Sequence, residues 1–210
     1  MKYFTLIAVF NLFSCGSKED VLLPKANTTI VKNVMDLSPI YIFFRTKDSD
    51  TLVEVNRKNS IISTNWILNV DKRLPLQLTI PEIMKLQQKK WEEKAHKNEK
   101  AENYYSYADT IGKNLAFIPF TNVYYKLEKP TSGIVVFFSK NNEISVDTIV
   151  VKQEELQAYL NKLPSNTAIH YVFGFDKNAS FGSYIQNKIL INSLKLPSSE
   201  FNIKHEEFIY

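Results

Sequence analysis

The only cysteine of the chain, Cys15, closes an apolar N-terminal run, and this limits how the rest of the chain can be stabilised. The run, Tyr3 to Phe13, follows a basic start at Lys2 and precedes the small residue Ser14. It has 11 residues, whereas a helix that crosses a bilayer needs about 20. Residues 1–14 are therefore predicted to be a cleaved secretion signal. Because no second cysteine follows, the exported part must fold by packing, without a disulfide.

The four residues Leu12-Phe13-Ser14-Cys15 resemble the lipobox of bacterial lipoproteins, in which the cysteine is acylated after cleavage. The resemblance implies that lipid on Cys15 anchors the mature chain to a membrane. Each buried methylene of an acyl chain contributes about 0.8 kcal/mol, so several chains hold a protein firmly. Gly16, and not Asp, follows the cysteine. By the same resemblance, this favours an outer membrane lipoprotein that faces the periplasm or the cell surface.

The remainder of the chain has the composition of a folded protein. Hydrophobic residues make up 44% and charged residues 23%, which is typical of globular domains. Residues 15–38 are predicted to form the lipidated cysteine and an extended tether. The net charge of +4 comes from basic residues interleaved with acids, so no nucleic-acid partner is predicted.

The first half of the folded part, residues 39–129, is predicted to begin with a β-hairpin and to continue into helix. Thr79 is the expected N-cap of that helix. Between residues 104 and 115, apolar side chains recur at intervals of four, three and four, which predicts a second helix or one long bent helix. The predicted elements are hairpin strands at 40–44 and 51–55, a strand at 65–70, helix over 79–115 and a strand at 117–127.

The second half, residues 130–210, has clearer patterns. Either Ser180 or Asn178 is expected to cap its last helix. The predicted elements are strands at 134–138 and 144–151, a helix at 154–163, a strand at 168–175, a helix at 181–196 and a strand at 201–210. This ββαβαβ order predicts an α+β fold, with antiparallel or mixed sheets and helices packed on one face.

The two halves share a sequence pattern in their opening hairpins. Ser38-x-Ile40-x-x-Phe43-Phe44 is followed by Asp50-Thr51, and Ser132-x-Ile134-x-x-Phe137-Phe138 is followed by Asp147-Thr148. This repetition favours two related ββαβαβ-like halves. The alternative is that two hairpins converged on similar apolar patterns, and both interpretations stay open at this point.

The stretch from residue 134 to 210 resembles the periplasmic domain of the ExbD/TolR biopolymer-transport family. The resemblance lies in the hairpin, the helix around Glu155 to Leu160, the segment Asp176 to Gly182 and the helix with Tyr184. It implies a non-catalytic envelope module that dimerises and contacts extended segments of partners or the cell wall. The candidate partner-binding residues are Asp176, Asn178, Ser180 and Tyr184.

The chain departs from that family at its N-terminus. Family members couple proton flow through a carboxylate in an N-terminal membrane helix, but residues 1–14 contain no acidic residue. The energy-coupling role therefore does not transfer to this chain.

Neither a metal nor a cofactor is predicted. His96, His170 and His205 are too dispersed to form a ligand set by spacing. His96 is expected on a solvated charged face, and His170 is expected to be half-buried in a strand. Asp176-x-Asn178-x-Ser180 opens like a calcium loop, but glycine comes one position late and the bidentate acid is missing.

The sequence therefore predicts a non-catalytic, lipid-anchored envelope protein that binds or scaffolds a protein partner or a second copy of itself. A link to an ExbD/TolR-type transport system follows from the resemblance alone. The alternative is a surface lipoprotein that binds or processes glycans through its aromatic residues. The aromatic residues considered for that role are Trp66, Trp91, Tyr104, Tyr105 and Tyr107.

Overall fold

The computed structural model describes residues 20–94, 97–163, 170–196 and 205–210, and the structural statements that follow concern these ranges. The helices are α1 (Leu76–Glu92), α2 (Leu156–Leu160) and α3 (Phe181–Ser193), and a short 3-10 turn (Gln153–Glu155) precedes α2. The strands are β1 (Lys25–Ala26), β2 (Leu37–Lys47), β3 (Asp50–Asn56), β4 (Asn65–Val70), β5 (Asn103–Asp109), β6 (Asn114–Pro119), β7 (Val123–Lys126), β8 (Ile134–Phe138), β9 (Ile144–Val146), β10 (Ile149–Val151), β11 (Tyr171–Phe175) and β12 (His205–Ile209).

The described strands form two six-stranded mixed sheets, which confirms the predicted α+β class. The first sheet has the order β1-β5-β4-β2-β3, and β6 pairs with the other side of β5. The second sheet has the order β10-β9-β8-β11-β12-β7. One hydrophobic core contains buried residues from both sheets. Helix α3 contacts both sheets, because the ring of Tyr184 packs edge-on against Tyr105 of β5 and Phe175 of β11.

The two sheets contain the same topological unit. In each, a strand pairs with its antiparallel hairpin partner on one side and with a parallel strand on the other. Helix α1 or α3 then leads to a further parallel strand. These units are β2-β3-β4-α1-β5 and β8-β9-β11-α3-β12. Helix α2 has no counterpart, because turns occupy residues 57–64 in the first unit.

The two units contact each other through reciprocal backbone hydrogen bonds at the starts of α1 and α3. Pro75 and Ser180 form an isolated antiparallel bridge. The N–H of Leu76 donates to the carbonyl of Ala179 (3.0 Å), and the N–H of Phe181 donates to the carbonyl of Leu74 (2.8 Å). A second reciprocal pair of bonds lies further out, from Gln77 to Lys177 (2.8 Å) and from Gly182 to Lys72 (2.9 Å). The bonds on one side of the bridge thus match those on the other, as in a two-fold symmetric contact.

This contact explains why α1 does not begin where the sequence predicts. The helix begins at Leu76, and the expected N-cap Thr79 lies inside it, where its hydroxyl donates to the carbonyl of Pro75 (2.9 Å). Pro75 is the N-cap residue and makes no side-chain capping bond. Carbonyls of the second unit accept from the first N–H groups, so no capping side chain is needed there. In α3 the expected cap is confirmed, because the Ser180 side chain accepts from Ser183.

The prediction of a helix between residues 104 and 115 is wrong, because these residues form the antiparallel hairpin of β5 and β6. Tyr105, Tyr107 and Asp109 alternate along β5 and are buried, which is the period of a strand. The side chain of Asp109 accepts from the backbone N–H groups of Ile111 and Gly112, both at 2.9 Å, and stabilises the turn. The helical spacing of apolar residues was therefore coincidental.

The hairpin of β2 and β3 is confirmed, with Lys47 paired to Asp50 across a two-residue turn. Asp48 and Ser49 have φ values of 49° and 76°, as hairpin turns of this length require. The predicted strand at 117–127 is divided by residues 120–122. Its first part ends β6 in the first sheet, and its second part is β7 at the edge of the second sheet. The chain thus passes from the first sheet to the second at residues 120–122, before the predicted boundary at 129.

Residues 22–31 are bonded to the first sheet and form a strap along it. The N–H of Lys72 donates to the carbonyl of Leu22 (2.7 Å), and β1 pairs in parallel with β5. The carboxylate of Asp71 accepts hydrogen bonds from the backbone N–H of Leu22 and from Nε and Nη2 of the Arg73 guanidinium. Burial alone would raise the pKa of Asp71, but these hydrogen bonds lower it overall. The predicted extended tether is therefore attached to the domain from Leu22 onward.

Candidate functional site

A cavity of about 420 Å³ lies beside the second sheet. Its walls are the starts of β11 and β12, the C-terminal part of α3 and the connection between β6 and β7. Much of the wall is apolar, and it includes Ile118, Tyr171, Phe173, Ile191 and Leu194. Ligand pockets in proteins commonly enclose about 300–1,000 Å³ and combine apolar walls with a few polar groups. The cavity therefore has the size and character of a small-molecule site.

An ion pair between Lys188 of α3 and Glu207 of β12 contributes polar groups to the cavity wall. Both side chains are less than 10% exposed. The second carboxylate oxygen of Glu207 accepts from the hydroxyl of Tyr184 at 2.5 Å. Two buried charges held in this way stabilise each other, because neither is left without a partner in a low-dielectric environment.

A chain of tyrosine hydroxyls continues from Glu207 into the core. The hydroxyl of Tyr184 lies 3.0 Å from that of Tyr125, which in turn lies 2.6 Å from that of Tyr105. Burial raises the pKa of each of these hydroxyls well above its usual range, and the nearby Glu207 carboxylate raises it further. All three tyrosine hydroxyls therefore stay protonated at neutral pH and can donate hydrogen bonds along this series.

The hydroxyl of Tyr171 differs from those of the other buried tyrosines. Tyr171 lines the cavity and is only 8% exposed. Among the described residues, no hydrogen-bond partner lies within reach of its hydroxyl. A buried polar atom without a partner costs about 1–3 kcal/mol.

In the first unit, the side chains of Trp66 and Lys90 fill the space that corresponds to the cavity. Trp66 lies four residues before the end of β4, as Tyr171 does in β11. Its indole N–H donates to the carbonyl of Ile61 (2.8 Å), and its ring lies under the ammonium of Lys90, with the nitrogen 4.9 Å from the ring centroid. Lys90 lies in the last turn of α1. Helix α3 has 13 residues against 17 in α1, so it lacks a corresponding turn.

The ammonium of Lys90 is buried, and no carboxylate among the described residues forms an ion pair with it. It donates to the carbonyls of Thr64 (3.0 Å) and Glu102 (3.2 Å) and to the side-chain oxygen of Asn103 (2.8 Å). These three acceptors match the three donors of an ammonium group. Burial lowers the pKa of Lys90 to about 8.

The depressed pKa of Lys90 gives stability a defined pH dependence. Between pH 8 and 10 the folded chain loses this proton while the unfolded chain keeps it, so the free energy of unfolding should rise with pH. In Lys90→Met this contribution should disappear. Urea denaturation at pH 7, 8, 9 and 10 measures the difference between the variant and the wild type. Lys89→Met, at an exposed neighbouring position, should keep the wild-type pH dependence; equal curves for all three proteins would contradict the prediction.

The candidate partner-binding residues do not form one surface. Asp176 accepts from the backbone N–H groups of Asn178 (2.8 Å) and Lys140 (3.3 Å), and Asn178 is exposed. Ser180 caps α3 beside Pro75, whereas Tyr184 is fully buried. The first three residues thus form the turn before α3, and Tyr184 lies in the core, where a partner does not contact it. A partner-binding role for the turn stays a prediction, and Cys15 lies outside the described residues.

The histidines occupy positions that the sequence did not indicate. His170 is exposed and lies just before β11, so the expectation of a half-buried strand residue is wrong. It lines the cavity together with His205.

The carboxyl groups with a lowered pKa, Asp71 and Asp109, stabilise turns elsewhere. Within the described ranges no three His, Cys, Asp or Glu side chains are grouped as metal ligands, and His96 lies outside them.

The aromatic residues considered for glycan binding are mostly in the core. Trp66, Tyr105 and Tyr107 are at most 1% exposed. Tyr104 donates a hydrogen bond to Glu102, and its pKa is raised to about 12, mainly by burial. Trp91 is 42% exposed and stacks on Tyr124, with ring centroids 5.4 Å apart. This stacked pair is thus the most accessible part of the aromatic set.

No family model, curated protein or solved structure matches the chain in comparisons with known proteins. Among the helices that the structure describes, none is both long and apolar enough to cross a membrane.

Sequence patterns did not indicate the cavity or the polar groups that line it. Tyr184 and Lys188 are four residues apart, so they lie on one face of α3. A lysine on the buried face of a helix was the available signal that hydrogen-bond acceptors lie opposite, as they also do at Lys90. The partner, Glu207, comes from a strand whose register cannot be read from one sequence.

Proposed function

We propose that the chain is a non-catalytic, lipid-anchored protein of the cell envelope that binds a partner close to the outer membrane. The observation that carries this proposal is the strap. The chain is hydrogen-bonded to the folded domain from Leu22 onward, only seven residues after the predicted lipid-attachment residue Cys15. Seven extended residues span at most about 25 Å. A lipid on Cys15 would therefore hold the β4–α1 turn, where the strap attaches, within that distance of the membrane surface.

A short tether of this kind suits a protein that works at a membrane surface. It allows the domain to tilt, but it keeps Asp71 and Lys72, to which Leu22 is bonded, on the membrane side. The cavity and the free edges of the sheets are then the surfaces that remain for a partner. Within the described ranges, the strand orders end at β1 and β3 in the first sheet and at β10 and β7 in the second. An exposed strand edge can pair with an extended segment of another chain.

The anchor is tested by Cys15→Ala expressed from the full-length chain. We expect the wild type to fractionate with membranes and to incorporate a radiolabelled fatty acid. The variant should lose both properties, because it keeps no acylation site. Mass spectrometry of the N-terminus reports whether the signal has been removed.

Ser17→Ala is the matched control, since it changes a neighbouring residue of the tether and leaves the cysteine intact. It should be acylated and membrane-bound like the wild type. A Cys15→Ala protein that stays in the membrane fraction after losing its signal would disprove the anchor.

A further inference from the structure

The cavity beside α3 lies in the second unit, at the position that side chains fill in the first unit. In the first unit, the ammonium of Lys90 lies over the ring of Trp66 and bonds to oxygen atoms at the starts of β4 and β5. In the second unit, Tyr171 lies at the position of Trp66, and α3 ends at Ser193 without the turn that would carry a lysine. The first unit thus shows which group this fold accepts at that position: an alkylammonium chain.

The charges around the cavity suit a cation. Lys188 is neutralised by Glu207, so this pair contributes no net charge. The remaining acidic residues of the wall are Glu102 and Glu206, and Glu206 is 41% exposed with its nearest ammonium, that of Lys126, 3.8 Å away. With Glu207, the described wall residues therefore include three acidic side chains against one lysine, a balance that favours a positively charged ligand.

The Tyr171 side chain contributes an aromatic ring to the cavity wall. Its ring offers an aromatic face, which attracts cations by about 0.5–2 kcal/mol depending on exposure. Its hydroxyl oxygen is buried and has no partner among the described residues, so a ligand donor reaches it only if the Tyr171 side chain moves. The apolar wall around Phe173 and Ile191 matches an aliphatic chain.

From these observations we infer that the cavity is a binding site for a primary alkylammonium group, either a free amine or the side chain of a lysine in a partner. The inference concerns the folded domain and does not depend on the lipid anchor.

The test is a titration of the isotope-labelled mature chain with n-hexylamine, monitored by amide NMR at pH 7 and constant ionic strength. The Cys15→Ala form is used, so that acyl chains cannot enter the cavity. Hexan-1-ol and hexanoate are the uncharged and anionic controls of equal chain length. We expect saturable shifts at Tyr171, Phe173 and Ile191 with a Kd on the order of 1 mM for so small a ligand. Hexanol should bind at least about 5-fold more weakly, because it lacks the charge.

Two tryptophan substitutions at adjacent exposed positions locate the site. Asn192 lines the cavity and Ser193 does not. Asn192→Trp should abolish the shifts by filling the space, and Ser193→Trp should leave the Kd unchanged. Glu206→Gln should weaken hexylamine binding about 3-fold and leave hexanol binding unchanged, because it removes one carboxylate.

Nα-acetyl-lysine methylamide distinguishes the two sources of the ligand. If it binds at least as tightly as hexylamine, the site accepts a lysine side chain from a partner; if only hexylamine binds, the site takes a free amine. No saturable binding, equal affinity for hexanol, tighter binding of hexanoate, or equal effects of the two tryptophan variants would each overturn the inference. None of these outcomes bears on the anchor, which fractionation tests separately.

Discussion

Glu207→Ala is expected to lower the free energy of unfolding by about 3–5 kcal/mol, the cost of leaving a buried charge without its partner. Lys188 would lose its only carboxylate among the described residues, and the hydroxyl of Tyr184 would lose its acceptor. Urea denaturation at pH 7 measures the change. Thermal unfolding should show it too, at about 2–4 °C per kcal/mol for a chain of this size.

Two further variants make this prediction specific. Glu206→Ala, at the exposed neighbouring residue, should cost less than about 1 kcal/mol, because its ion pair with Lys126 is accessible to solvent. Replacing both partners, as Lys188→Met with Glu207→Leu, should recover most of the lost stability, since neither charge of this buried pair then remains. If the double variant is as unstable as Glu207→Ala, the destabilisation arises from lost packing and not from the unpaired ammonium.

Trp66→Ala is expected to destabilise the chain by about 3–5 kcal/mol, as is usual when a large buried aromatic side chain is truncated. The indole is 1% exposed, and it also supports the ammonium of Lys90. Its removal would therefore leave both a cavity and a less well-held buried charge. Chemical denaturation measures the loss.

Trp91→Ala is the matched control, because Trp91 is on the surface and contacts Tyr124 by stacking. Its truncation should cost less than about 1.5 kcal/mol, the value of such an aromatic contact. Equal losses for the two tryptophan variants would contradict the view that Trp66 fills a position that the second unit leaves open.

The features that could be predicted from the sequence are those with local causes. The β2–β3 hairpin follows from alternating residues around a two-residue turn, and the start of α3 follows from the capping side chain of Ser180. The start of α1 was missed because its first N–H groups are satisfied by Ala179 and Lys177, which are distant in sequence. A capping signal is not required where another part of the chain supplies the acceptors.

The polar groups around the cavity could not be predicted, for a related reason. Glu206 and Glu207 are adjacent acids, and only the parallel register with β11 and β7 determines which of them points into the core. That register pairs Glu207 with Phe173 and Tyr125. Neighbouring strand residues face opposite sides, so a shift of one position would exchange the two acids.

The reciprocal hydrogen bonds around Pro75 and Ser180 join the starts of the two long helices, α1 and α3. Each unit supplies hydrogen-bond acceptors to the helix start of the other, and a single chain supplies both sides of the contact. The far end of α1 meets the second sheet in another way, by the stacking of Trp91 on Tyr124 of β7. The far end of the first unit is filled by Trp66 and Lys90, whereas α3 of the second unit has 13 residues against 17 in α1. The architecture thus combines one shared junction with far ends that differ, because side chains fill the first and a cavity occupies the second.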